Sequence, residues 1–143
     1  MIHAEHALQR SVAAFLDCAL TPPVWWTSID HAGQGWRHGA QLKARGVKAG
    51  TPDIFIFAPA DNPSPDKIAT KVIALELKVP GRGQSHAQEE TQANLFSVGT
   101  FYSVVYSIEQ VERVLRGCGV ALRASVSARP ANAGPIFMEA GNA

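Results

Sequence analysis

Asp53, Glu76 and Lys78 are the residues around which chemistry could be built. Asp53 stands ahead of the run Ile54-Phe55-Ile56-Phe57, and Glu76 and Lys78 close the run from Val72 to Val79. The β-branched, aromatic and aliphatic content of both runs reads as buried strand. Strand alternation puts Val72, Ala74, Glu76 and Lys78 on one face and Ile73, Leu75, Leu77 and Val79 on the other, which is wholly apolar. Glu76 and Lys78 then project together, roughly 7 Å apart along the strand. Charge is costly to bury at the end of such a strand. Carboxylates converging with an amine suit a hard cation beside a phosphate. Mg²⁺ takes carboxylate oxygens, keeps several waters and is often completed by substrate phosphate. On this reading Asp53 and Glu76 hold the ion, and Lys78 holds the attacking water or offsets phosphate charge. The competing reading is a surface aspartate and a solvated Glu-Lys pair. That is the commoner case for an isolated Glu-x-Lys, but Pro52-Asp53 ahead of its own strand shifts the balance.

These residues need elements to carry them. Ile2 to Leu20 reads as a helix, with Leu8, Val12, Phe15, Leu16 and Ala19 as its apolar stripe and Pro22-Pro23 beyond its end. Glu5 falls on the same inward stripe and could enter a polar site. His3 and His6 beside it read as end-of-helix polar residues, because no matching Cys or His pair follows for zinc. Val24 to Ile29 reads as a short strand, and Trp36 to Arg45 as a helix stopped at Gly46. The stretch from Ala58 to Thr70 reads as a loop. Ser85 to Val98 reads as a helix carrying Gln88, Gln92 and Leu95 on one face. Ser85-His86-Ala87-Gln88 is also a capping box, in which Gln88 would fold back on its own helix start. Phe101 to Tyr106 reads as a third core strand, and Ile108 to Arg116 as a helix capped by Ser107. The resulting fold class is α/β, a mixed central sheet flanked by helices.

Pro52-Asp53 followed by Glu76-Leu77-Lys78 resembles the signature of the PD-(D/E)XK nuclease superfamily. The longer pattern is more specific: Leu42-Lys43, Gly46 to Asp53, Glu76-Leu77-Lys78, then Gly83, Ser85 and Gln88. It resembles the virus-type replication-repair nuclease (VRR-NUC) domain of the standalone phage or bacterial type, from about Glu5 to about Gly119. The resemblance implies a restriction-endonuclease-like core and a Mg²⁺-dependent DNA endonuclease, with Mn²⁺ as a substitute. It implies metal ligation by Asp53, Glu76 and the Leu77 carbonyl, with Glu5 as a further candidate. The catalytic set it implies is Glu5, Asp53, Glu76, Lys78 and Gln88. It also implies a homodimer acting on branched DNA such as a four-way (Holliday) junction, as in repair. Two alternatives stay open: a non-cleaving DNA-binding module on the same core, and a restriction-like enzyme that reads sequence.

The remaining features bound these expectations. The chain has 143 residues and a net charge of +1. That suits one domain over residues 1–120 and a tail over 121–143 rich in Ala, Ser, Pro, Gly and Asn, either partly disordered or packed on a partner through Ile136-Phe137-Met138. Global charge does not announce a nucleic-acid binder; its distribution says more. From His31 to Pro52 there are Arg37, Lys43, Arg45 and Lys48 and no acid. This patch, with Arg82, is a candidate phosphate contact surface. Taken alone it could equally be a solvated helix face. Cys18 and Cys118 lack metal-ligand spacing and read as reduced, buried thiols. The start of the chain is not a signal peptide, and no apolar run reaches transmembrane length. A cytoplasmic protein without membrane contact is expected.

Overall fold

The computed structural model describes residues 2–29, 36–61 and 69–126. His31 and Ile136 to Met138 lie outside them. The elements run α1 (Ile2–Ala19), β1 (Trp25–Ser28), α2 (Trp36–Ala44), β2 (Ile54–Pro59), β3 (Thr70–Leu77), α3 (His86–Ser97), β4 (Phe101–Val105) and α4 (Ile108–Gly117). The sheet order is β1-β2-β3-β4, antiparallel from β1 to β3 and parallel between β3 and β4. This is the mixed α/β sheet that the sequence pattern implies.

One sheet face carries the core. Ile54, Ile56, Ile73, Leu75 and Val105 pack with Val12 and Leu16 of α1 and with Val111 and Leu115 of α4. The helical stripes match this burial, because residues three and four apart share a helix face. The other face carries Ala74 and Glu76, and both sides of β3 are buried from Ile73 to Leu77. Parallel pairing and cover on both faces explain why that run is continuously apolar except at Glu76.

Several expectations are corrected. The paired part of β2 extends to Pro59 and β3 begins at Thr70, so the connection is shorter than the expected loop from Ala58 to Thr70. The Phe101 strand is the fourth, at the sheet edge, because Trp25–Ser28 also joins the sheet. Cys18 is exposed rather than buried, and both cysteines are unpaired.

Packing contacts with α1 and α4 also continue past residue 120. Val120 is in the core. Arg123 donates to the carbonyl oxygens of Cys18 and Asp17 at the end of α1. Glu112 of α4, only 4% exposed, accepts from the Ser125 hydroxyl, the Val126 amide and Arg116. A buried carboxylate needs such donors, and these tie residues 123–126 to α1 and α4.

Candidate active site

The register that sets Ile54 opposite Leu75 brings Asp53, one residue earlier, level with Glu76, one residue later. The Asp53 Oδ2 accepts from the Leu77 amide at 2.7 Å, which fixes the carboxylate at the end of β3. Glu76 is 2% exposed. Its Oε1 accepts from Lys78 Nζ at 3.0 Å and also from Gln88 Nε2. Among the described residues its Oε2 is buried with no hydrogen-bond partner. A buried anionic oxygen without a donor is costly, and a cation is the partner its chemistry suits.

Gln88 reaches Glu76 because α3 begins where it does. Ser85 caps the helix, and the Gln88 Oε1 accepts from the Ser85 amide at 2.8 Å while its own amide donates to the Ser85 hydroxyl. The Gly50 to Asp53 segment runs against this helix start. Gly50 has φ +75°, and a Cβ there would collide with the Ala87 carbonyl. The Thr91 hydroxyl donates to the Ala49 carbonyl at 3.2 Å and holds the same contact. Glycine is therefore required at position 50 on two grounds, backbone conformation and close approach.

The electrostatics follow from this crowding. Burial first, and then the Asp53 charge, push the Glu76 carboxyl up to about 7. Lys78 opposes the rise through its hydrogen bond and charge, and Glu5 adds to it. Like charges gathered in a partly dry site are relieved by a divalent cation. Tyr102 of β4 is buried on the same sheet face. Burial first, and then the Glu76 charge, push its phenol up to about 12. Its hydroxyl accepts from Gln84 Nε2 at 3.3 Å.

The described residues contain no cluster of three or more His, Cys, Asp or Glu side chains spaced to hold a metal. The set that fits an ion is thus two carboxylates, Asp53 and Glu76, with the Leu77 carbonyl at the same strand end. Glu5 acts on Glu76 through its charge.

One solved structure, described as a "VRR_NUC domain protein", matches with a TM-score of 0.59. The match covers 80% of this chain and 87% of that one at 21% identity. The chain has the VRR-NUC fold. No family model matches the sequence, and no curated protein does.

On this VRR-NUC fold Asp53, Glu76, Lys78 and Gln88 converge, and Glu5 stands close enough to be felt. Lys43, Arg45 and Lys48 are exposed, and Lys43 and Lys48 line a groove of about 410 Å³ that ends at Gly50. Arg82 is exposed near the β3–α3 turn, where its carbonyl accepts from the Tyr106 hydroxyl. The Arg37 side chain lies outside the described residues. Tyr102 and Gln84 give no sign of the site in the sequence. A tyrosine within an apolar strand reads as core, and only the parallel register, with Ala74 beside Tyr102, brings it near Glu76.

Proposed function

We propose that this chain is a divalent-metal-dependent DNA endonuclease that hydrolyses phosphodiester bonds in branched DNA. The observation that carries the reading is the unpartnered, buried Glu76 Oε2 beside Asp53. Asp53, Glu76 and the Leu77 carbonyl would hold Mg²⁺, or Mn²⁺ in its place. When bound, the ion would lower the pKa of a water and neutralise charge on the phosphate.

The chain's own residues do the rest. Gln88 and Lys78 both donate to Glu76 Oε1, so Oε2 is left as the oxygen for the ion. Lys78 has hydrogens beyond the one given to Glu76. It orients the attacking water or donates to a non-bridging phosphate oxygen. The Leu77 amide keeps the Asp53 carboxylate from rotating. Glu5 holds a water at the margin of the site. Lys43, Arg45, Lys48, Arg37 and Arg82 contact phosphates away from the cut. No helix among the described residues is long and apolar enough to cross a membrane.

Two cuts in a junction need two such sites, so the working unit is a homodimer. Exposed Phe96, Val98 and Phe101 around the start of edge strand β4 support that reading. The test is to incubate the protein with labelled linear, flap and four-way DNA in Mg²⁺, Mn²⁺ or EDTA. Metal-dependent cutting concentrated on branched DNA is expected. Binding without cutting in either metal would make the chain a clamp. Cutting at one sequence in linear duplex would make it a restriction-like enzyme.

A further inference from the structure

A second groove, of about 560 Å³, reaches Ile54, the residue after Asp53. His3, His6, Gln9 and Arg10 of α1 form one wall, and Trp26 and Ser28 of β1 help form the other. Helix geometry explains the first wall. His3, His6 and Arg10 are spaced i, i+3, i+7 and share a stripe, turned away from the core stripe of Leu8, Val12 and Leu16. Between His3 and Ala13 the one carboxylate on α1 is Glu5, which lies on the core stripe with Leu8 and Val12, away from this wall and toward the catalytic residues. Every side chain named on the α1 wall can donate a hydrogen bond, and the guanidinium is always charged. The Trp26 Nε1 donates to Asp17 Oδ1 at 3.1 Å, so what Trp26 offers the groove is ring surface.

The position of the groove gives it meaning. Ile54 lines it, directly after Asp53. Ser28 pairs with Ile54 across the β1–β2 ladder. The groove of Lys43 and Lys48 ends instead at Gly50. The Gly50 to Ile54 segment thus has a donor-lined groove at each end, with Asp53 between them.

We propose that the α1–β1 groove seats a single nucleic-acid strand leading away from the phosphate to be cut. His6 and Arg10 contact its phosphates, and its bases lie against Trp26. Donors along a backbone path with an aromatic surface beside them are how proteins hold single strands without reading sequence. The inference rests on the nuclease reading and adds to it which arm of a branched substrate is held, and where.

The test is binding in EDTA, where cleavage is suppressed. Labelled splayed-arm DNA and a blunt duplex of the same length are titrated with wild type and with His6→Ala/Arg10→Ala. The double variant should bind splayed-arm DNA about tenfold more weakly or worse. Its log–log salt slope should flatten by about 0.7 for each single-strand phosphate left unneutralised. Blunt-duplex affinity should stay within about twofold. Arg10→Lys keeps the charge and should keep the slope, which guards against a folding artefact. If wild type cuts splayed-arm DNA while the double variant binds it with unchanged affinity and slope, the groove assignment is wrong and the nuclease reading stands. Equal losses on both DNAs would also overturn the single-strand assignment. A wild-type protein that neither binds nor cuts DNA would overturn both.

Discussion

Gln88 and Glu76 are joined by a hydrogen bond in which the same glutamine also closes a capping box. The Gln88 Oε1 accepts from the Ser85 amide, and its Nε2 donates to Glu76 Oε1. The sequence presents capping and site membership as rival accounts of Gln88; one side-chain amide serves both. A carboxylate could replace the first function but not the second. Gln88→Glu should therefore keep the cap and melt near wild type, while single-turnover cleavage falls by tenfold or more. Gln88→Ala should lose about 0.5–2 kcal/mol of stability as well as activity. A stable and fully active Gln88→Glu protein would remove Gln88 from the site.

Glu76 makes the metal-free protein sensitive to pH. Its folded carboxyl titrates at about 7, against an ordinary value of 4.5. The folded state therefore holds the proton more tightly than the unfolded one. The stability this gives is full below 4.5 and is lost as pH rises through 7. The loss is on the order of 3 kcal/mol for a carboxyl this buried. In EDTA, Glu76→Gln should gain on wild type between pH 5 and pH 8. Parallel urea midpoints for the two proteins across that range would contradict the assignment.

Glu112 has the opposite sign. The Ser125 hydroxyl, then the Val126 amide and Arg116, outweigh burial and hold its carboxyl down to about 2. Its contribution is present above 4.5 and is lost as pH falls toward 2. Glu112→Gln should blunt this acid limb. It should also speed hydrogen exchange at the Val126 amide at pH 7, where wild type is protected. Unchanged exchange would mean that residues 123–126 are held by Arg123 alone.

Legibility in the sequence follows how local each signal is. Periodicity reveals α1 and α4, and the Asp53 and Glu76 strands stand out because charge ends apolar runs. The convergence of the two carboxylates can be suggested from residue types and strengthened by the family resemblance, but strand register is set by long-range pairing and no local signal fixes it. Tyr102 stays hidden for the same reason. The contact of Glu112 with residues 125 and 126 is invisible because Ser125 and Val126 lie in a stretch whose composition reads as tail. A glutamate in an amphipathic helix gives no local sign that it is buried.

The exposed basic patch is open to a direct electrostatic test. Replacing Lys43, Arg45 and Lys48 by Ala should weaken duplex binding and reduce the log–log salt slope by about 0.9 for each phosphate no longer neutralised. An identical slope would show that the patch is solvated surface.

The central claim is that Asp53 and Glu76 hold a divalent ion against the phosphate to be cut. Its most direct measurement is the single-turnover cleavage rate of labelled four-way DNA by Asp53→Asn and by wild type, in Mg²⁺ and in EDTA. Asp53→Asn keeps the shape and an oxygen to accept from the Leu77 amide but loses the charge. Wild type should cut only with Mg²⁺. The variant should be slower by about three orders of magnitude or more, with its melting temperature and DNA affinity retained. A folded Asp53→Asn protein that cuts at the wild-type rate, or a wild type that cuts equally well in EDTA, would contradict the account.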